Sequence, residues 1–390
     1  MARKKESKTR EFLKDTSTPA ARRNPLWRRI AGVVLALLDL AAVGALLLTG
    51  YAGMVSPLTH SDLWGVLPLG FPIALLAVTL LAVLQLFFFR KGLIILAIGF
   101  VACLGPFLSY CPLHLFPAKA TEGAETFTLL TYNVGNFGTA GSASGDGSGN
   151  AALAYILQQD ADVVCLQEVE FTPGVQTHIT PAQLDSMHAR YPYVYVSGIR
   201  QAILSKFPVQ PIHVDSSREV FGNGDIGIYR ITLPSGRLVS IFNVHLFSYS
   251  LEPDDKELYE SVTRLQKESI SDLRTQLLAQ LRIAARGRAS EVVQLLRWIR
   301  LYGGPEAIVV GDFNDVQGCY AIRELAESGF RDAYPEVGFG PMVTFHENRF
   351  YFCIDHVLCR GDLRPLWLRK GRTKASDHYP LTVEIEVCEQ

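Results

Sequence analysis

The stretch AIVVGDFND at residues 307–315 puts polar side chains directly behind a short apolar run. The run at 307–310 has the length and the β-branched content of a buried strand. Asp312 and Asn314 follow it, and continued strand alternation would put both side chains on one face. A strand-end Asp or Asn is more often a turn former than a catalyst. The stretch therefore indicates a functional site only if similar stretches occur elsewhere in the chain.

The same arrangement recurs through the last two-thirds of the chain, where short β-rich runs alternate with turns. Many short strands with few helices between them predict layered sheets. The predicted strands are residues 126–134, 162–166, 202–205, 225–233, 237–246, 307–310, 352–359 and 381–387. The polar residues at or just behind them are Asn133, Glu168, Asn243, His245, Asp312, Asn314, Asp355, Asp377 and His378. The Pro-Ser-Gly sequence at 234–236 predicts a hairpin turn.

The order of these motifs is more specific than any one of them. The series TYNV, LQEV, NVHL, GDFN, IDH and SDHYP resembles the endonuclease/exonuclease/phosphatase family. The resemblance covers the chain from about residue 120 onward and none of the residues before it. Together with the apolar runs described below, it indicates a membrane-anchored bacterial member. It implies an α+β, DNase-I-like fold, a four-layer α/β/β/α sandwich of two packed mixed sheets. The family includes nucleases, sphingomyelinases and inositol-polyphosphate phosphatases, so its substrate range is wide.

Three of the motif residues are expected to hold a divalent cation. Carboxylate and amide oxygens are hard ligands that suit Mg²⁺ or Mn²⁺. Glu168 is the leading ligand, and the resemblance implies Asn133 and Asp377 beside it. A cation there would neutralise a phosphate and stabilise the departing oxygen.

Five further motif residues are expected to carry the reaction. In the family, the position of Asp312 orients and deprotonates the attacking water, and that of Asn314 holds the phosphate. The imidazole of His378 would bind or protonate the phosphate, and by resemblance Asp355 fixes its tautomer. His245 matches the second histidine of the nuclease and sphingomyelinase branches. Which histidine is the base, and whether one or two metals bind, stays open.

Three apolar runs precede this region, at residues 30–50, 63–89 and 92–116. Each is long enough to cross a bilayer core of about 30 Å as a helix of roughly 20 residues. A cleaved signal peptide is the alternative for the first run, but two more runs follow it. Asp39 is the one acidic residue of that first run. It is either functional, or else protonated or bonded to a neighbouring helix.

Charge predicts the orientation of these helices. Residues 1–29 carry ten Lys and Arg against three acidic residues, and the remainder carries 27 basic against 35 acidic residues. Basic segments stay in the cytoplasm, and the Arg90-Lys91 hairpin lies on the side of the tail by parity. Three spans then put the domain on the opposite side, which is the periplasm in a Gram-negative bacterium. The acidic remainder gives no long-range attraction for polyanions.

The predicted organisation is a basic cytoplasmic tail at 1–29, a three-helix membrane anchor at 30–117 and a catalytic domain at 120–390. A helical insertion is predicted at about 254–301, with a break at Gly287. It is expected to pack on the domain, and a partner or membrane-surface helix is the alternative. The Gly/Ser-rich segment 138–150 predicts a loop. Seven cysteines without a Cys-x-x-Cys pair indicate ordinary thiols, or at most one disulfide.

The sequence therefore predicts a multi-pass inner-membrane hydrolase that cleaves a phosphoester, with a phosphodiester favoured over a phosphomonoester. The substrate could be a nucleic acid, a lipid headgroup or a phosphorylated metabolite, because specificity depends on loops added to a common scaffold. No obligate protein partner is inferred. The alternative is a catalytically inactive, membrane-tethered binding module of the same fold.

Overall fold

A computed structural model describes residues 26–88, 92–138, 149–169, 171, 177–197, 200–213, 225–248, 267–347 and 351–388. Residues 1–25 of the basic tail, the Arg90-Lys91 hairpin and residues 139–148 of the Gly/Ser-rich segment lie outside the described residues. The start of the predicted insertion, up to residue 266, lies outside them as well.

The described part begins with helices and continues as a mixed α/β domain. The helices before the first strand are α1 (Leu26–Tyr51), α2 (Phe71–Phe88), α3 (Leu93–Ala102) and α4 (Leu104–Tyr110). The strands are β1 (Glu125–Asn133), β2 (Val163–Gln167), β3 (Tyr193–Val196), β4 (Gln201–Ser205), β5 (Val209–Ile212), β6 (Asp225–Thr232), β7 (Leu238–His245), β8 (Ala307–Asp312), β9 (Arg331–Asp332), β10 (Asp355–Arg360), β11 (Leu363–Lys370) and β12 (Leu381–Val387). The helices of the domain are α5 (Ala151–Gln159), α6 (Pro181–Arg190), α7 (Lys267–Tyr302), α8 (Tyr320–Glu327) and α9 (Ala333–Val337).

The strands form two six-stranded sheets, with the orders β11-β12-β1-β2-β4-β3 and β5-β6-β7-β8-β10-β9. The central pairs, β1 with β2 and β7 with β8, are parallel. The outer pairs are antiparallel. Both sheets are therefore mixed, and in each the two central strands end at the same edge. Side chains at those ends can converge on one site.

Alternating apolar residues build the core. Phe127 and Leu129 of the first sheet belong to one buried cluster with Ile241 and Ile308 of the second. The outer face of the first sheet is covered by α5 and α6, and that of the second by α7 and α8. The predicted sandwich of two packed mixed sheets with helices outside is thus confirmed. The predicted hairpin turn also forms, with the Leu233 N–H donating to the Arg237 carbonyl at 2.9 Å.

The prediction of three uninterrupted spans is wrong for the third. Two helical stretches, Leu26–Met54 and Leu67–Phe87, are long and apolar enough to cross a membrane, whereas α3 and α4 are bent by 68° where they meet. The cause is Pro106, which has no N–H for the Ala102 carbonyl four residues earlier. The hydroxyl of Tyr51 donates to that carbonyl instead, at 2.6 Å.

Gly287 does not break the insertion helix, because α7 is continuous from Lys267 to Tyr302. The glycine instead makes room for an aromatic ring, since a Cβ at this position would meet the ring of Phe247 at 2.8 Å. The C-terminal half of α7 buries Val292 and Leu295 against the second sheet. The helix packs on the domain, as predicted.

The structure shows the partner of Asp39 in the anchor and the state of the cysteines. The Gln85 side-chain amide on α2 donates to the carboxylate of Asp39 on α1 at 2.6 Å, and both side chains are buried. Asp39 is therefore bonded to a neighbouring helix, one of the two predicted alternatives. All seven cysteines are free thiols.

The anchor packs directly on the domain. A Cβ at Gly53, just after α1, would lie 2.1 Å from the backbone oxygen of Gly318. Tyr334 donates its hydroxyl to the carbonyl of Tyr110 at 3.1 Å. Arg282 on α7 forms an ion pair with Asp62 at 2.7 Å. These contacts attach the anchor to the domain at several points.

Replacing Gly53 by Ala should destabilise the full chain by roughly 1–3 kcal/mol, because the added methyl overpacks a contact with rigid backbone. The midpoint of thermal unfolding in lipid nanodiscs measures the effect. Gly44→Ala on α1 is the matched control, since its Cβ meets nothing within 4 Å. Equal midpoints for the two variants would contradict the close packing.

Candidate active site

Strand register aligns three of the polar residues in one row across the second sheet. His245 at the end of β7 pairs with Asp312 on β8, and Asp312 pairs with Asp355 on β10. Directly paired residues present their side chains on the same face, and neighbouring strands are about 4.8 Å apart. The row therefore follows from pairing and not from any local motif.

Gly311 allows β8 to approach β7 closely at this point. Its φ is +137°, and a Cβ there would lie 2.0 Å from the backbone oxygen of Val244. A side chain could not be accommodated, and the conformation is one that L residues rarely adopt. The glycine before Asp312 is thus required by backbone packing.

The first sheet contributes the end of β1 and the residue that follows β2. Asn133 pairs with Gln167, and Glu168 then turns with a left-handed φ of +52°. The Asn133 amide donates to Glu168 Oε1 at 3.1 Å and to Asp312 Oδ2 at 3.0 Å. One amide group therefore bridges a carboxylate from each sheet.

A second pair of amides joins the sheets underneath this bridge. Gln167 donates to Asn243 Oδ1 at 2.7 Å, and Asn243 donates to the Leu166 and Ala202 carbonyls at 2.9 and 3.2 Å. Gln167 and Asn243 are fully buried. The pair fixes the end of β7, and hence His245, relative to Glu168.

His378 lies between two carboxylates. Its Nδ1 is 2.9 Å from Asp355 Oδ2, and its Nε2 is 3.5 Å from Asp312 Oδ2. The ring of Phe345 packs against the imidazole with centroids 5.1 Å apart. Burial lowers the pKa of His378, but Asp355 and Asp312 more than offset this and raise it to about 10. The imidazole is therefore held as a cation at neutral pH, facing the site.

His245 completes the centre of the cluster. Its Nε2 is 3.6 Å from Glu168 Oε1 and 3.8 Å from Asp312 Oδ2. Burial raises the pKa of Asp312, and the neighbouring imidazoles of His378 and His245 partly counteract this. The carboxylate of Asp312 is 1% exposed, while that of Glu168 is 28% exposed. Glu168 therefore faces the opening of the site, and Asp312 lies at its base.

The prediction that strand alternation continues from Asp312 to Asn314 is wrong. The strand β8 ends at Asp312, and Asn314 has a left-handed φ of +50°. Its N–H donates to Asp312 Oδ1 at 2.8 Å, and its side-chain amide donates to the Leu246 carbonyl at 2.9 Å. Asn314 is adjacent to the site because it closes a turn around the Asp312 carboxylate.

Asp377 reaches the cluster through Ser376. The Ser376 hydroxyl lies 2.9 Å from Asp377 Oδ1 and 2.8 Å from the carbonyl of Asn133. This arrangement keeps the segment before β12 next to the end of β1. Asp312 and six other predicted residues thus form one cluster, and Asp377 lies at its edge.

The donor set suits a hard divalent cation. The carboxylates of Glu168 and Asp312 both contact the side-chain amide of Asn133. Burying a carboxylate costs several kcal/mol of folding free energy unless a cation compensates its charge. Another grouping, Asp312 with Asp355 and His378, offers ligand atoms within 4.8 Å of one another. In that grouping Asp355 already pairs with His378 Nδ1, whereas the Glu168 carboxylate is 28% exposed and could also hold a metal.

Two residues near the site had no sequence signal that distinguished them. Asp225 begins β6 opposite His245, and burial raises the pKa of its carboxyl group. Arg200 has a left-handed φ of +56°, and its carbonyl accepts from the Val169 N–H at 2.8 Å. Both depend on register and loop conformation, which no periodicity reveals.

A family model described as "Endonuclease/Exonuclease/phosphatase family" matches residues 130–378. Similar solved structures include a protein of that family from Bacteroides thetaiotaomicron, 15% identical, covering 68% of this chain and 99% of that one with a TM-score of 0.42. Truncated Caenorhabditis elegans TDP2 is 16% identical, covering 67% and 98% with a TM-score of 0.43. ANGEL2, a 2′,3′-cyclic phosphatase, is 16% identical, covering 70% and 99% with a TM-score of 0.43.

No curated protein matches the chain. The family match spans more than half of the sequence and includes all the motif residues described above. On that match, the chain belongs to the endonuclease/exonuclease/phosphatase family.

Proposed function

We propose that this protein is a membrane-anchored, divalent-metal-dependent phosphoesterase that favours phosphodiesters. The observation that supports this most is the convergence of Glu168, Asp312 and His378 where the central strands of both sheets end. Carboxylates beside a protonated imidazole can hold a cation, orient a water and contact a phosphate. A binding module of the same fold would need none of these groups in this geometry.

Glu168, Asn133 and Asp377 would hold Mg²⁺ or Mn²⁺. When bound, the cation supplies positive charge that neutralises the phosphate and stabilises the departing oxygen. The Glu168 side chain is 28% exposed, against 1% for Asp312 and 2% for Asp355, and can meet an incoming ion. The amide oxygen of Asn133 is the type of hard donor that Mg²⁺ accepts. In this structure that oxygen accepts from the Gly135 N–H at 3.1 Å, and the amide nitrogen faces the two carboxylates, so metal binding would require the amide to rotate.

The remaining polar residues act on the water and the phosphate. Asp312 accepts a proton from the attacking water, because its carboxylate is buried beside two histidines. His378 donates to a phosphate oxygen through Nε2, while Asp355 holds the proton on Nδ1. His245 contacts the phosphate from the other side, and Asn314 keeps the Asp312 carboxylate oriented through its N–H.

The helices α3 and α4 together would form a third, bent crossing of the membrane. The Tyr110 hydroxyl donates to the Pro68 carbonyl at 3.0 Å, so the end of α4 and the start of α2 lie on the same side. Gly53, behind α1, contacts the domain on that side too. Three crossings and a basic tail then put residues 120–390 in the periplasm.

Replacing His378 by Ala should reduce metal-dependent hydrolysis of a chromogenic bis-aryl phosphodiester by roughly a hundredfold to ten-thousandfold, the usual contribution of a general acid or base. Steady-state rates of the full chain in nanodiscs measure this. His188→Ala on the exposed face of α6 is the control and should retain full activity. An unaltered rate in the His378 variant would exclude this site, and an inactive wild type would favour the binding-module alternative.

Replacing Glu168 by Gln should raise the Mg²⁺ concentration for half-maximal activity by about tenfold or more, since loss of even an indirect partner of a metal costs this much. Titration of activity after chelation and dialysis gives the value. Glu122→Gln, an exposed change before β1, should leave the titration curve in place. A Glu168 variant with wild-type metal dependence would remove this residue from the metal site.

An epitope tag after Gln390 should be accessible to antibody in intact spheroplasts, because the domain is proposed to face away from the cytoplasm. A tag before Met1 should be detected only after lysis. The reverse pattern, or access to both tags in intact spheroplasts, would overturn the proposed orientation.

A further inference from the structure

An apolar cavity of about 420 Å³ lies between the start of α2 and the catalytic domain. Its walls include Leu75 and Leu76 of α2, and Met342, Val343 and Cys353 of the domain. The volume is within the range of small-molecule sites, about 300–1,000 Å³. Cavities with apolar walls stay dry and accept apolar ligands.

One side of the cavity continues onto the surface of a helix that can cross the membrane. Its wall runs along α2 from Phe71 to Thr79, a rise of about 12 Å at 1.5 Å per residue. Leu76 is 58% exposed and Thr79 is also exposed, although both line the cavity. In a bilayer, the space next to these side chains is filled by lipid hydrocarbon.

The other side of the cavity reaches the segments that support the candidate site. Cys353 precedes Asp355 by two residues, at most about 7 Å of chain. Val343 precedes Thr344, whose hydroxyl oxygen accepts from the Asp355 N–H at 3.2 Å. The wall of the cavity and the carboxylate partner of His378 are therefore parts of the same short stretches of chain.

The geometry points to a binding site for the hydrocarbon chain of a lipid, with the phosphoester of that lipid held at the candidate active site. This inference rests on the proposed function and narrows its substrate class to membrane lipids. The chain would leave the bilayer along α2, and the phosphate would remain beside Glu168 and His378. A polynucleotide cannot use this cavity, because burying charged groups against apolar walls is costly.

The test uses n-alkyl phosphates from butyl to dodecyl as inhibitors of chromogenic diester hydrolysis by the full chain in nanodiscs. Inhibition of the wild type should strengthen with chain length. Leu75→Trp should reduce the ratio of inhibition by dodecyl phosphate to inhibition by butyl phosphate by on the order of tenfold. The larger side chain fills space that about two methylene groups of the inhibitor would otherwise occupy. Ile73→Trp is the matched control on the same helix, because Ile73 is 72% exposed and does not line the cavity.

The outcomes separate the two proposals. A wild type that does not hydrolyse the diester overturns the proposed function, and the lipid inference with it. A wild type that is active but shows the same chain-length dependence as both variants overturns the lipid inference alone. Partition of the inhibitors into the bilayer is common to all three proteins, so a difference between the two variants reports on the cavity.

A measurement on the wild type covers the case in which Leu75→Trp does not fold. A hexadecyl phosphate carrying a diazirine in its chain should label residues 341–343 or 351–353 on illumination, as found by peptide mass spectrometry. Excess dodecyl phosphate should suppress that labelling, and butyl phosphate should not. Labelling confined to the outward faces of α1 and α2 would show that the chain stays in the bilayer and would overturn the inference.

Discussion

The buried contact between Gln167 and Asn243 is the constraint on which the site depends. Each sheet is stabilised by its own backbone hydrogen bonds, but these do not determine how one sheet is shifted against the other. The hydrogen bond from Gln167 to Asn243, and those from Asn243 to the Leu166 and Ala202 carbonyls, do, because a shift would break them. Each buried polar group left without a partner costs about 1–3 kcal/mol. Residues of the candidate site follow directly behind this contact, Glu168 one residue after Gln167 and His245 two residues after Asn243.

Much of the domain could be predicted from sequence because alternation of apolar residues is a local property. The strands Ala307–Asp312 and Leu381–Val387 carry that signal, whereas Arg331–Asp332 and Leu363–Lys370 between them were not predicted. The order of the motifs made the two-sheet fold predictable through the family resemblance. Asn314 was placed by an alternation that ends two residues earlier, at Asp312. The opposition of Asp225 and His245 depends on register across a hairpin, and the bend of the third apolar run depends on Pro106, whose effect a hydropathy pattern does not show.

The site concentrates negative charge where a stable core would avoid it. Asp312 and Asp355 are nearly inaccessible, and the imidazole of His378 lies between them. A fold optimised for stability alone would not keep these carboxylates buried. The cluster therefore lowers the stability of the fold, and a functional role accounts for its presence. The same charge makes the site selective in a simple way, since it disfavours anions until a cation occupies it. On the proposed function, binding of metal and of phosphate would therefore be cooperative.

The direct packing of Gly53 against Gly318, together with the ion pair of Arg282 and Asp62, has a geometric consequence. The catalytic domain is not a tethered body that samples the volume above the bilayer, because its own surface rests on the anchor. In the proposed membrane-anchored form, the opening beside Glu168 would be held at one height and one tilt relative to the membrane normal. An enzyme anchored in this way would find substrate by two-dimensional diffusion, and its rate would depend on the surface density of substrate rather than on bulk concentration.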